Sequence, residues 1–219
     1  MKQVIKPKRL KLALMASGRG SNFEALSAAI DRKDLDAEIV IVISDKENAL
    51  ALDKARKRNI PAVYVNPRDF ATFDKYEEHL VKILKEYDID IVVLAGYMRL
   101  VGLTFLHNFK NRVVNIHPAL LPAFKGLHAQ KQALDYGVKY TGCTVHIVDE
   151  GMDTGPIIMQ SIVPVYLDDT EEILSSRILQ EEHQIYWRAL QLLAEGRIYI
   201  EGRQIIIAEK DEEGGIVYA

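Results

Sequence analysis

Asn115 and His117 stand two residues apart in "VVNIHPALLP", at what reads as the carboxyl end of a strand. Side chains at that spacing point to the same side, so an amide and an imidazole can meet one group of substrate atoms. The pair suits addition to a carbonyl: the asparagine amide can donate to a developing oxyanion, and a histidine exchanges protons near neutral pH. The same residues also fit a histidine merely hydrogen-bonded at a strand end before a proline. Asp153, in the glycine-flanked "DEGMDTGP", adds a carboxylate that near His117 would orient the ring. Alone it is equally well a turn residue. His117, His146 and Asp153 are zinc-ligand types, but their spacing matches none of the close ligand pairs of known motifs, and no metal is expected.

Gly18-Arg19-Gly20-Ser21-Asn22 forms a second cluster, between an apolar stretch and a helical one. Free N–H groups at a helix N-terminus favour an anion, and Arg19 adds a cation beside them. A dinucleotide fingerprint would need its third glycine at Phe23, and a Walker loop would need a Gly-Lys-Ser/Thr that is absent. Two readings remain open on these residues. One is a grip for a single phosphate made by a short nest and the Ser21 and Asn22 donors. The other is a plain capped turn, because Ser21-Asn22-Phe23-Glu24 has the pattern of a capping box in which Ser21 caps the helix and Glu24 reaches back.

Glu182 is the third oddity. Leu174, Ile178, Ile185 and Ala189 make one apolar stripe at helical spacing, and Glu182 falls on it. A carboxylate on a core face needs a partner or a ligand, unless it sits at an edge that solvent reaches. His183 lies off that stripe and reads as structural or exposed.

The elements that must position these residues alternate. Leu10 to Ala16 reads as a strand, Asn22 to Lys33 as a helix, and "AEIVIVIS" as a strand covered on both faces. "ALALDKARKRN" reads as a helix, "PAVYVN" as a short strand, Tyr76 to Tyr87 as a helix, and "DIVVLAG" and "RVVNIH" as buried strands. This order implies an α/β fold with a doubly wound, mostly parallel sheet, which binds ligands outside the carboxyl ends of its strands. "NIHPALLPAFKGLHAQ" has no clean period and reads as a structured loop; "YTGCTVHIVD" and "IIMQSIVPV" read as extended. A last helix, about Thr170 to Glu195, stops at Gly196, and "RIYIEGRQIII" reads as a small C-terminal hairpin turning at Glu201-Gly202.

The 219 residues suit one domain, 1–219, and 48% apolar with 27% charged residues is the balance of a globular protein. A formal charge of −3 argues against a nucleic-acid partner that works by neutralising phosphates. No apolar run approaches the ~18 residues of a membrane span, and the apolar N-terminal stretch leads into Gly-Arg-Gly without a cleavage pattern, so it reads as a strand rather than a signal peptide. The lone Cys143 excludes an internal disulfide, fits a reducing, cytoplasmic setting, and reads as a small buried hydrophobe. A small molecule is the expected partner, and the chain is expected to be a monomer or homodimer.

Five stretches, "ASGRGSNFEAL", "VVLAGYMRLV", "VVNIHPALLPAFKGLHAQKQAL", "TGCTVHIVDEGMDTGPIIMQ" and "QEEHQIYW", span nearly the whole chain. In that order they resemble the glycinamide ribonucleotide transformylases, folate-dependent formyltransferases of purine synthesis. "NIHPALLP" and "DTGPII" resemble all folate-dependent formyltransferases, whereas "GRGSN" is the discriminating piece. The resemblance implies a Rossmann-like formyltransferase fold and 10-formyltetrahydrofolate as co-substrate. It implies that Asn115, His117 and Asp153 are catalytic. It further implies that Gly20, Ser21 and Asn22, beside Arg19, hold the phosphate of glycinamide ribonucleotide (GAR), and that Glu182 contacts the ribonucleotide's polar head. Met98, Arg99, Leu100 and Val101 would line the folate pocket. Phe73 stands where many members carry a basic residue toward the folate, and Lys75 or Arg68 are the substitutes at hand. A formyltetrahydrofolate hydrolase, which usually carries an added N-terminal regulatory domain, and a non-catalytic nucleotide-binding regulator are the alternatives. The regulator leaves Asn115, His117 and Asp153 without a role.

Overall fold

The computed structural model describes residues 2–6, 8–210 and 216–217. A two-residue strand β1 (Lys2–Gln3) precedes β2 (Leu10–Met15), α1 (Ser21–Asp31), β3 (Ala37–Ser44), α2 (Leu50–Lys57) and β4 (Ala62–Tyr64). A 3₁₀ turn (Pro67–Asp69) leads to α3 (Phe73–Glu86), β5 (Ile91–Leu94), α4 (Leu103–Asn108) and β6 (Val113–His117). Then come α5 (Ala129–Tyr136), β7 (Tyr140–Ile147), β8 (Ile157–Pro164), the 24-residue α6 (Glu171–Ala194), β9 (Ile198–Glu201) and β10 (Gln204–Ile207). The short strands β11 (Glu209–Lys210) and β12 (Ile216–Val217) pair with each other.

Strands β2 to β8 form one seven-stranded sheet in the order β4-β3-β2-β5-β6-β7-β8. The pairings from β4 through β6 are parallel, while β6–β7 and β7–β8 are antiparallel. From β2 the chain winds outward to β4, then returns to lay β5 on the other side of β2. The order therefore reverses between β2 and β5, and such a switch point opens a crevice at the carboxyl ends of both strands.

The near-continuous apolar strands are explained by helices on both faces. Leu10, Leu12 and Leu14 of β2 join the core under α1 and α6, with Leu174, Ile178, Ile185 and Leu193. Ala13 and Met15 face the other way, into a core with Tyr76, Leu80 and Leu84 of α3 and Phe105 of α4. Alternation along one strand thus feeds two cores. The expected C-terminal hairpin is present as β9 and β10, turning at Gly202-Arg203 rather than Glu201-Gly202 because Glu201 pairs with Gln204, and β1 adds a third strand to it.

Four other local expectations change. The stretch from Asn115 to Gln130 that reads as loop runs into a helix at Ala129, whose buried residues are only Ala129 and Ala133, too small a face to print a period. The six-residue α4, with Phe105 and Leu106 buried, is too short to print a period. Helix α3 starts at Phe73 rather than Tyr76, because Thr72 caps it by accepting from the Lys75 amide. The capping box at Ser21 does not form: the N-cap is Gly20, without a side-chain cap, and Glu24 pairs instead with Lys54 at 2.6 Å.

Candidate active site

The loop after β2 enters α1 through Gly20, in the left-handed region at φ +68°. A Cβ there would lie 2.9 Å from the Ala51 backbone, so the position excludes side chains on two grounds. The first helical bond runs from the Glu24 amide to the Gly20 carbonyl. The Ser21, Asn22 and Phe23 amides therefore precede the helical ladder and face outward at its positive end. Arg19 is exposed beside them, and Phe23, where a dinucleotide fingerprint would have its third glycine, is fully buried in the core.

The Asn22 side chain is buried and turns toward α6. Its Nδ2 donates to Glu182 Oε2 at 2.9 Å, and its Oδ1 has no partner among the described residues. Glu182 is 8% exposed, so the carboxylate lies inside the apolar stripe rather than at a wetted edge. Burial pushes its carboxyl up to about 7, against which the Asn22 hydrogen bond acts only in part. One turn further along α6, the Tyr186 hydroxyl reaches the Leu94 and Val114 carbonyls, locking this helix against β5 and β6.

At the end of β6 the cross-strand register decides the chemistry. Asn115 pairs with His146 and His117 pairs with Thr144, so all four side chains share one face. Asn115 Nδ2 lies 3.1 Å from His146 Nε2, and His146 Nδ1 lies 3.1 Å from the Ile147 carbonyl. The carbonyl can only accept, so His146 carries its proton on Nδ1 and accepts from Asn115 through Nε2. Burial lowers the His146 pKa, in keeping with that neutral ring. One N–H of the Asn115 amide is thereby spent on His146, and the second is left for a ligand.

His117 is 4% exposed and its Nε2 donates to the Phe124 carbonyl at 2.8 Å. Its Nδ1 faces Asp153 Oδ2 at 3.4 Å, while Asp153 Oδ1 is 3.7 Å from His146 Nε2. Asp153 adopts φ +50° and accepts from the Gly126 amide at 2.8 Å. Its loop is tied down by Asp149, whose Oδ1 accepts from the Thr154 hydroxyl at 2.6 Å and from the Gly151 amide. Gly155 completes the turn, since a Cβ there would collide with the Ile147 carbonyl. Asn115, His117 and Asp153 thus come together with His146, which sequence spacing had placed only among the zinc-ligand types.

Met98 and Leu100, in the segment after β5, are 63% and 64% exposed. Arg99 between them lies over the Phe73 and Tyr76 rings at 6.0 and 5.6 Å, and its buried Nε has no partner among the described residues. The Met98 amide donates to Ser17 Oγ, and Ser17 Oγ donates to Asp45, which ties this segment to the glycine turn. Arg68, Lys46, Tyr64, Asn66 and Arg99 line a polar cleft of about 300 Å³. Lys75 is engaged by Glu78 at 2.6 Å and does not line this cleft, whereas Arg68 does, with Asp45 and Glu47 also on its wall. Cys143 is fully buried and burial pushes its thiol up to about 12, which removes it as a nucleophile.

The formyl transferase family model matches residues 10–190, which contain every residue of this cluster. The chain belongs to the formyl transferase family. As a formyl transferase it is 41% identical to the phosphoribosylglycinamide formyltransferase of Bacillus subtilis over 80% of this chain and 90% of that one. The crystal structure of glycinamide ribonucleotide transformylase 1 from Symbiobacterium toebii superposes with a TM-score of 0.89 at 45% identity, covering 90% of this chain and 93% of that one. The trifunctional purine biosynthetic protein adenosine-3 of Drosophila melanogaster is 42% identical over 90% of this chain, which spans only 15% of that protein's length. Within the described residues of this formyl transferase, no helix is long and apolar enough to cross a membrane, and no group of three or more histidine, cysteine or acidic side chains could hold a metal ion.

Proposed function

We propose that the protein transfers the formyl group of 10-formyltetrahydrofolate to the amine of glycinamide ribonucleotide, giving formyl-GAR and tetrahydrofolate in purine synthesis. The observation that carries this reading is the junction at the switch point. The start of α1 with its Asn22–Glu182 bond follows β2, and Asn115 and His117 end β6 in the same sheet, and on this reading the two ends bound a pocket for a second substrate. A hydrolase, whose acceptor is water, has no use for that pocket.

In this reading the ribonucleotide phosphate sits on the α1 N-terminus near Arg19, and Glu182 takes the hydroxyl or amine groups of the head. The exposed Met98 and Leu100, with Arg99 and Val101, bound the slot for the folate ring. Arg68 and Arg99 take the carboxylates of its tail in place of the basic residue that Phe73 displaces.

The amine nitrogen attacks the formyl carbon, and the carbonyl oxygen becomes an oxyanion. Asn115 donates its second N–H to that oxygen, with the amide orientation set by His146. Preorganised donors of this kind are typically worth about 3 kcal/mol each at the transition state. The proton lost by the amine passes to the His117–Asp153 pair, the oxyanion collapses to the new formyl carbonyl, and as the bond to the folate N10 breaks the pair delivers that proton to N10. His117 holds one proton on Nε2 against the Phe124 carbonyl, and the proton that moves lies between its Nδ1 and Asp153.

The test is formyl transfer by the purified protein, supplied with both substrates and no added metal. Formyl-GAR appearing only when the ribonucleotide is present is the expected result. Formate released at one rate with and without the ribonucleotide overturns the assignment in favour of hydrolysis.

A further inference from the structure

A row of three residues crosses the sheet beside the catalytic cluster. His117 on β6 is the register partner of Thr144 on β7, and Thr144 is the partner of Gln160 on β8. Thr144 is fully buried. Its hydroxyl donates to the Ala119 carbonyl at 2.7 Å and accepts from the Leu121 amide at 3.1 Å and from Gln160 Nε2 at 2.9 Å. Gln160 Nε2 spends its other N–H on the Leu121 carbonyl at 3.0 Å. Three hydrogen bonds therefore pin the segment 119–121 to the sheet, and the fourth couples Gln160 to Thr144.

That segment is the near end of the loop that orients both catalytic side chains. Three residues beyond Leu121, Phe124 at φ +51° turns its carbonyl onto His117 Nε2, and two further on the Gly126 amide holds Asp153. Both contacts come from backbone groups, so their placement depends on how the loop is anchored. Gln132 anchors its far end through the Lys125 and Leu127 carbonyls. The near end, next to the His117 contact, hangs on Thr144 and Gln160.

We infer that Gln160, acting with Thr144, is a positioning residue for the transfer step: it sets the Phe124 carbonyl and so keeps the His117 proton on Nε2, with Nδ1 turned to Asp153. The inference rests on reading His117 and Asp153 as catalytic. A glutamine amide suits the task because its two N–H groups satisfy a hydroxyl and a carbonyl at once. Methionine at the same position would fill the space and donate nothing.

The experiment compares Gln160→Met, Thr144→Val and Thr144→Ser by steady-state kinetics, thermal melting and ¹⁵N spectra of the His117 ring, with His117→Ala as control. Gln160 is itself exposed, so Gln160→Met is expected to fold even if Thr144→Val does not. The expected result is a kcat about tenfold or more below wild type in Gln160→Met, with both KM values within about twofold. Its His117 spectrum should lose the hydrogen-bonded Nε2–H signal, and Thr144→Ser should keep wild-type turnover and spectrum. A Gln160→Met variant with unchanged kcat, or with lowered melting temperature but an unchanged His117 spectrum, overturns the inference while the site reading stands if His117→Ala is inactive. Full turnover in His117→Ala overturns the site reading and this inference with it.

Discussion

Asn22 Nδ2 donates to Glu182 Oε2 at 2.9 Å, joining the first turn of α1 to the middle of α6 across 160 residues. The bond leaves the carboxyl in an apolar setting, pushed up from 4.5 to about 7. The folded protein therefore holds a proton on Glu182 between those two values while the unfolded chain does not. Stability falls as pH rises from about 4.5 to about 7 and is flat above that. Glu182→Gln removes this slope and should gain on the order of 3 kcal/mol relative to wild type between pH 4.5 and 8. Urea unfolding of both proteins at several pH values checks it, and parallel pH dependences would count against a buried, uncompensated carboxyl.

His117→Ala should lose turnover by roughly 10²- to 10⁴-fold, the usual range for a positioned acid–base group. Binding of the ribonucleotide, measured by calorimetry, should persist, because the imidazole lies at β6 and the phosphate position at α1.

Asn115→Ala should lower kcat by about 10²- to 10³-fold with little change in KM, the signature of a donor used chiefly at the transition state. An increase in KM at constant kcat would instead make Asn115 an ordinary binding contact.

Ser21→Ala should weaken the ribonucleotide by about tenfold and leave kcat at saturation near wild type, since a hydrogen bond to a charged group is worth about 1.5–3 kcal/mol. Helix stability should hardly change, because Gly20 and not Ser21 is the N-cap. A large drop in melting temperature would mean that Ser21 caps the helix after all.

Arg68→Ala should raise KM for the formyl-folate several-fold, a loss of about 1 kcal/mol or more for one exposed charge-assisted contact, with KM for the ribonucleotide unchanged. Lys75→Ala should alter neither, because that ammonium is held by Glu78. Equal effects in both variants would remove the cleft beside Arg99 as the seat of the folate tail.

Much of this was legible in particular residues. The apolar runs at Leu10, Ile39 and Val92 announced buried strands, the stripe from Leu174 to Ala189 announced α6, and Glu182 stood out on it as a group needing a partner. The alternation of Asn115 and His117 placed them on one side. The capping box at Ser21 misleads because a four-residue pattern cannot register that Gly20 turns left-handed in a space against Ala51 with no room for a side chain, and so becomes the N-cap itself. His146 was passed over because nothing in the sequence reveals which residue of β7 lies opposite Asn115.

The sequence by itself determined what depends on a residue and its near neighbours along the chain: strand and helix periods, the two-sided apolar character of a parallel sheet, and residue types able to do carbonyl chemistry. The tertiary structure alone decided the antiparallel register that sets His146 under Asn115, the buried bond from Asn22 to Glu182, and the loop whose Phe124 carbonyl and Gly126 amide hold His117 and Asp153. These are contacts between backbone and side-chain groups distant in sequence. Their strength comes from distance, burial and donor direction, which exist only once the sheet has assembled.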